Sequence, residues 1–345
     1  MCENDSERND VEARLMGNHK VLVYGATGYT GKLICLRLKE LNIDFVIAGR
    51  DKTKIAELSS QLNVRNFVFE TSDFGAWQVA LKGVVCLINA AGPFALTAGN
   101  AIHACIRSKV NYLDISAELP TYQLAESLDQ QAKEAGIMMI SGAGLFVAYD
   151  ALVVHTAKRV KRAQQLFVAF RHYGGFSKGS IKSSKYIVDL GLMIRDNGEL
   201  KQITEANAKV FDFGEGPQEC FPTTLGGIIL SYKSTSIPNI REYFQLQLST
   251  LTTNHTGIEN LPDGPTAEER AEGRSKLAVE VIGAEGDSAY SIADLPSGYT
   301  LTPLSVVAVA CRILNGDLMI GYQTPGSAYG ENIISDIPDS HIIDC

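Results

Sequence analysis

The stretch from Lys20 to Gly31, Lys-Val-Leu-Val-Tyr-Gly-Ala-Thr-Gly-Tyr-Thr-Gly, constrains the fold of this chain more than any other. A short apolar run, Val21 to Tyr24, breaks into Gly25-x-x-Gly28-x-x-Gly31 and then enters a helical pattern starting at Thr30, with Leu33, Ile34, Leu38 and Leu41 as its apolar positions. This pattern predicts a strand that stops, turns on glycine and launches a helix whose first N–H groups lack partners in the chain. Such a helix start attracts anions through those donors and through the positive end of its dipole. Gly25 permits the turn, Gly28 lets a diphosphate approach the backbone, and Gly31 lets helix and strand pack closely.

The second apolar run, Phe45-Val46-Ile47-Ala48, ends in Gly49-Arg50-Asp51-Lys52. At this strand end an acidic residue suits the ribose 2′-OH of NAD, and an arginine suits the 2′-phosphate of NADP. Arg50 comes first, about twenty residues beyond the glycine turn as the motif requires. Lys52 and Lys54 follow closely. A forked guanidinium matches phosphate, so the sequence points to NADP(H) rather than to NAD(H) through Asp51.

From residue 19 onward strands and helices alternate. Further strands are expected at 66–69, 84–88, 111–115 and 136–140, and helices at 54–62, about 99–108 and after Pro120. The 84–88 run is wholly apolar, as in a parallel sheet covered on both faces. This alternation predicts an α/β fold, a Rossmann-type doubly wound parallel sheet whose ligand crevice lies at the strands' carboxyl ends. After about residue 160 the pattern changes. Residues 165–173 and 277–281 alternate apolar and polar positions, as in an antiparallel sheet with one wet face. One or two helical stretches are expected within 183–207, a polar loop or short exposed helix at 260–275, and a helix from Pro303 to Leu314. The expected organisation is a flexible tail at 1–18 and a dinucleotide-binding domain at 19–160. An inserted α+β second domain, mainly antiparallel, follows at 161–294, with a segment at 295–345 returning to the first.

Bulk properties narrow the partners. The chain has 345 residues, 45% hydrophobic and 20% charged, with a net charge of −8. No basic run is present, which argues against nucleic acid. The longest apolar stretches, near 83–91 and 303–314, are too short to span a bilayer and suit a buried strand and a core helix. Seven cysteines, at 2, 35, 86, 105, 220, 311 and 345, are scattered and form no CxxC. They fit reduced thiols of a cytoplasmic protein, not a disulfide framework or zinc site, and the polar N-terminus carries no signal peptide. His155, His172 and His255 have no metal-ligand spacing, so no metal is expected.

The motifs together resemble the saccharopine dehydrogenase-like oxidoreductases, and within them the branch that includes trans-acting enoyl reductases. The resemblance rests on Tyr24-Gly-Ala-Thr-Gly-Tyr-Thr-Gly31, Ala48-Gly-Arg50, Asn89-Ala-Ala-Gly-Pro-Phe94 and Tyr112-Leu-Asp-Ile-Ser-Ala-Glu118. It continues through Gly174-Gly-Phe-Ser-Lys-Gly-Ser180, Gly264-Pro265 with Arg270, Tyr299-x-Leu-Thr302 and Thr324-Pro-Gly-Ser-Ala-Tyr-Gly330. It implies nucleotide contacts at Gly25, Thr27, Gly28, Tyr29, Thr30, Gly31 and Arg50, with the loop Asn89, Ala91, Gly92 and Pro93 beside the cofactor. Two departures bear on the substrate: Ala117 stands where the family often has glycine, and the loop before Asp150 lacks the usual proline.

Hydride transfer belongs to the nicotinamide, so the protein must orient it, polarise the acceptor and supply a proton. No tyrosine has a lysine four residues on, which removes the short-chain dehydrogenase solution. Candidate catalytic groups at the sheet's carboxyl edge are Tyr112, Asp114 and Glu118, with Ser177 reaching across from the second domain. The competing readings are a first-turn carboxylate for Glu118 and an ordinary helix-start turn for Ser177. His103 is more simply a solvated helix residue. The expected activity is NADP(H)-dependent hydride transfer to or from an acyl, enoyl or carbonyl small molecule. The alternatives are a saccharopine-type amino-acid reductase, which would need Arg171, Arg195 and Arg241 clustered, and a non-catalytic NADP(H)-binding sensor. A homodimer through the second domain's open sheet edges completes the set of expectations.

Overall fold

The computed structural model describes residues 21–246 and 262–345. The expected tail at 1–18, and His255, lie outside the described residues.

Strands β1 (Val21–Tyr24), β2 (Phe45–Gly49), β4 (Cys86–Asn89) and β5 (Asn111–Asp114) are buried at every position. This is why they read as continuous apolar runs. With β3 (Asn66–Val68), β6 (Met138–Ile140) and β15 (Gly321–Tyr322) they form a seven-stranded sheet in the order β15-β6-β5-β4-β1-β2-β3. Every pairing in it is parallel. The chain order reverses beside β1, and the crevice of such a sheet lies at that switch point. Helix α1 (Tyr29–Glu40) follows the glycine turn, α2 (Lys52–Leu62) follows β2, and α3 (Phe74–Ala80) precedes β4. Helix α4 (Phe94–Ser108) starts five residues before the expected position, directly after Pro93, because the apolar face already begins at Phe94. Helices α5 (Leu119–Ser127) and α6 (Asp129–Ala135) complete this part.

Helix α7 (Leu145–Ala157) is apolar on nearly every side because it packs against β13 (Arg274–Gly283) and β14 (Ser288–Pro296) and is covered by neighbouring helices. The second sheet runs β10-β11-β12-β7-β13-β14-β16, with β8 on β12 and β9 on β8. Its other members are β7 (Ala163–Arg171), β8 (Leu192–Asp196), β9 (Glu199–Ile203), β10 (Lys209–Asp212), β11 (Pro217–Thr223), β12 (Asn239–Phe244) and β16 (His341–Asp344). It is a mixed sheet: β12 and β7 run parallel, and the other pairings are antiparallel.

Of the one or two helical stretches expected within 183–207 one is present, and one expected helix boundary moves. Within 183–207, only α8 (Lys178–Asp189) is helical. Residues 192–203 form the β8–β9 hairpin instead, turning on Asn197-Gly198 with φ of 52° and 84°. Asn-Gly between apolar-alternating runs is a strong hairpin signal, and here it outweighs helix propensity. Helix α11 (Gly298–Leu314) begins five residues before Pro303, which lies inside it. The short helices α9 (Gly227–Thr235), α10 (Ala267–Glu272) and α12 (Pro325–Tyr329) fill the remaining connections. The last residues serve both sheets, β15 extending the first and β16 pairing with β14 of the second. Asp344 fixes β16 to the end of α7, accepting from Arg159 Nη1 at 2.6 Å and meeting His155 Nε2 at 2.9 Å.

Candidate dinucleotide and substrate site

The glycine turn is shaped by close backbone approach. Gly25 has φ of +81°, and a Cβ there would lie 2.7 Å from the Ala91 nitrogen. A Cβ on Gly31 would lie 2.2 Å from the Gly25 carbonyl oxygen. The turn is therefore pressed between β1, the start of α1 and the loop after β4, with no room for a methyl group. Gly28 is the N-cap of α1 and offers no side chain; the first turn of α1 carries no acid either. The leading N–H groups of α1 thus stay available for an anion. Thr27, Tyr29 and Thr30 line the same turn and are half-buried.

Arg50 follows β2 and is exposed. Its rival, Asp51, is committed: it is the N-cap of α2, its Oδ1 accepting the Lys54 N–H at 3.1 Å. A carboxylate used as a helix cap is turned away from ribose recognition. Of the two side chains at this strand end, Arg50 is the one not used as a helix cap.

The Asn89–Pro93 loop is held from beneath. Asn89 is fully buried; its Oδ1 accepts the Ala91 N–H at 3.1 Å, and its Nδ2 donates to the Tyr112 hydroxyl at 3.3 Å. The Tyr112 hydroxyl donates to Asp114 Oδ2 at 3.0 Å, while Asp114 Oδ1 accepts the Ser116 and Gly142 N–H groups at 2.9 Å each. Burial pushes the Asp114 carboxyl up to about 6 against the pull of these bonds, and burial likewise raises the Tyr112 phenol well above its ordinary value. Both side chains are 0% exposed. Together they form a buried network that sets the loop's shape, beneath the sheet edge where both are expected as catalytic groups.

Glu118 is 1% exposed and caps a helix that is not its own. Its Oε1 accepts the Phe94 N–H at 2.9 Å and its Oε2 the Ala95 N–H at 2.7 Å. Pro93, the formal N-cap of α4, has no side-chain acceptor, and Glu118 supplies the missing carboxylate. Ser183 of α8 donates to Glu118 Oε1 at 2.7 Å, which ties the second domain to this loop. Ser177 is the N-cap of α8, accepting the Ser180 N–H at 3.1 Å. Glu118 and Ser177, both expected as catalytic groups, thus also serve as helix caps.

The side chains over the turn come from residues 172–180 and from the start of α11. The Tyr29 and Tyr299 rings meet edge to face, 5.3 Å apart. The Tyr299 hydroxyl accepts the Ser177 N–H at 2.7 Å and bonds Ser180 Oγ at 2.8 Å. His172 stacks on Phe176 at 4.4 Å, and burial lowers its pKa, which favours the neutral imidazole. Sequence reasoning passed over this aromatic wall because its members come from three separate segments. The signal was the Gly174–Ser180 motif itself, whose Phe176 is the ring on which His172 stacks. His103 is half-buried in α4. The three arginines do not gather here. Arg171 pairs with Glu215 at 2.7 Å, and Arg195 donates to the Gly198 and Ile228 carbonyls over the Tyr232 ring. Arg241 borders a depression of about 710 Å³ at the opposite end of β7 from His172. Among the described residues no group of His, Cys, Asp or Glu could hold a metal ion, and no helix is long and apolar enough to cross a membrane.

Comparison with known proteins agrees with this geometry. Residues 21–140 match the family model described as the saccharopine dehydrogenase NADP binding domain. A lipid droplet localized protein of Caenorhabditis elegans is 26% identical over 144 residues, 37% of this chain and 34% of that protein. A probable mitochondrial saccharopine dehydrogenase-like oxidoreductase of Arabidopsis thaliana is 27% identical over 143 residues, 36% of this chain and 32% of that protein. The match thus spans about a third of the length of these curated relatives. The structure of apo saccharopine dehydrogenase (L-Glu forming) from Saccharomyces cerevisiae superposes with a TM-score of 0.62 at 12% identity, covering 94% of this chain and 100% of that chain. At that identity the likeness is one of fold, and it extends through both domains. Residues 21–140 are a nicotinamide-dinucleotide-binding domain of the saccharopine dehydrogenase type, with NADP the favoured cofactor.

Proposed function

We propose that this chain is an NADP(H)-dependent oxidoreductase acting on an acyl, enoyl or carbonyl small molecule, as the trans-acting enoyl reductases do. The observation that carries it is the pairing of an uncapped helix start at Gly28 with an arginine left alone at the end of β2. Bound NADPH supplies the hydride; the chain's residues do the rest. The first turn of α1 holds the diphosphate, Arg50 the 2′-phosphate, and Glu118 and Asn89 keep the Ala91–Pro93 loop in place. The ring wall of His172, Phe176 and Tyr299 supports an apolar acceptor and excludes water from the reacting centre. We assign the Tyr299 hydroxyl, held by Ser177 and Ser180, as the group that hydrogen-bonds the acceptor carbonyl.

A screen of NADPH oxidation against enoyl and keto thioesters tests this reading. Turnover with a member of that panel is expected; bound cofactor with no turnover on any acyl or carbonyl compound would favour the sensor alternative. A saccharopine-type substrate with several carboxylates would need clustered arginines beside the nicotinamide; Arg195 and Arg241 instead line one depression at the far end of β7, and Arg171 is paired with Glu215. A cytoplasmic setting fits the free cysteines, of which Cys35, Cys86, Cys105 and Cys220 are buried. Self-association through the short edge strands of the second sheet belongs to the same proposal and is read by light scattering.

A further inference from the structure

Residues 263–273 of the second domain form a strap laid on the glycine turn. Its start is tied to α8, the Asp263 carbonyl accepting the Lys178 N–H at 3.2 Å. Its end is tied to the start of α11, where Ser297 Oγ donates to the Arg270 carbonyl at 2.9 Å. Between these anchors the strap rests on Tyr29. The Tyr29 hydroxyl donates to the Pro265 carbonyl, and a Cβ on Gly264 would lie 2.7 Å from the Tyr29 ring. Arg270 Nη1 donates to the Tyr29 hydroxyl at 2.8 Å and to the Pro265 carbonyl at 3.0 Å.

Tyr29 therefore has two roles at one spot. Its backbone N–H is the first of the free donors of α1, and its side chain fixes a guanidinium. The positive helix end and a full positive charge are held by a single residue, and the first turn of α1 contains no acid to offset them. Two positive groups on the same side of the turn favour an anion between them. On the strap, Glu269 is spent in the capping box with Thr266, and Glu268, fully in solvent, feels the charge of Arg270 from outside. A guanidinium has five N–H donors. Only Nη1 is engaged among the described residues, so the Nε–Nη2 edge, the one suited to a forked grip on phosphate, is open.

We propose that Arg270 grips the diphosphate of the bound dinucleotide from the second domain, opposite the Gly25–Gly31 turn, with Tyr29 as its holder. This rests on the dinucleotide reading above. Cofactor binding and seating of the strap are then one event, so the ligand itself joins the two domains.

Calorimetry with NADPH and with 2′-AMP separates the cases, because 2′-AMP has the adenosine and the 2′-phosphate but no diphosphate. Arg270→Ala is expected to weaken NADPH about tenfold to a hundredfold and leave 2′-AMP unchanged. Arg270→Lys, which keeps the charge and loses the fork, falls between; Arg50→Ala weakens both ligands. NADPH should also slow tryptic cleavage at Arg274 in the wild type and not in Arg270→Ala. Unchanged NADPH affinity in Arg270→Ala overturns the proposal, as does an equal loss of 2′-AMP, which would mark a general effect on the fold. A wild-type protein that takes neither ligand removes the dinucleotide reading itself.

Discussion

Ser183 and Glu118 meet across the two domains, the serine hydroxyl donating to Oε1 at 2.7 Å while the same carboxylate closes the start of α4. One buried group thus holds three donors from two domains. Glu118→Ala should leave the Phe94 and Ala95 N–H groups and the Ser183 hydroxyl without a partner. The expected loss is roughly 2–4 kcal/mol of stability, with Glu118→Gln losing less because an amide oxygen still accepts. Denaturant titration of both variants checks the order; an unperturbed Glu118→Ala would show that water replaces the carboxylate.

Arg50→Ala should weaken NADPH about tenfold to a hundredfold and leave NADH affinity nearly unchanged, since NADH lacks the phosphate that the guanidinium recognises. Parallel titrations give the ratio. Equal affinity for NADPH in variant and wild type would return recognition of the ribose to another residue.

Glu242 makes stability depend on pH. It is buried behind the start of α9, accepts the Leu225 N–H at 2.9 Å, and burial lifts its carboxyl from 4.5 to about 8. The folded state therefore holds a proton that the unfolded chain releases near 4.5. The resulting stability is complete below that value and is lost as pH rises through about 8. Glu242→Gln, neutral throughout, should match the wild type near pH 5 and exceed it near pH 8.5 by about 2–4 °C or more in Tm. Thermal melts at the two pH values decide; a constant difference would contradict the buried-proton account.

Tyr299→Phe should lower kcat with a responsive thioester or ketone about tenfold to a thousandfold while NADPH affinity holds. Rates and calorimetry on one preparation provide both readouts. A change confined to cofactor affinity would make Tyr299 a packing partner of Tyr29 and no more.

The first domain was legible because its signals are local. Strands buried on both faces must be apolar runs, and the glycine turn has a fixed spacing between β1 and α1. The cap at Asp51 is equally local, but in the sequence Asp51 reads only as a ribose ligand. Glu118 was not legible in the same way: it caps a helix 24 residues upstream, and no spacing rule links Glu118 to Phe94. Tyr112 and Asp114 looked chemical because they stand at the carboxyl edge of the sheet, and only burial shows that they face inward. In the second domain the parallel pairing of β7 with β12 joins segments about seventy residues apart, a contact that alternation alone does not specify. The Asn197-Gly198 turn falls inside the span read as helical, because the periodicity there is weighed above the turn dipeptide.

The split allegiance of the chain's last stretch has a practical result. With Gly321–Tyr322 finishing one sheet and His341–Asp344 edging the other, neither half can be made by cutting the gene at the apparent junction. A fragment ending near residue 160 forfeits β15, a rim strand of the first sheet. Loss of His341–Asp344 would strip an edge strand from the second sheet and leave Gly321–Tyr322 in place on the first.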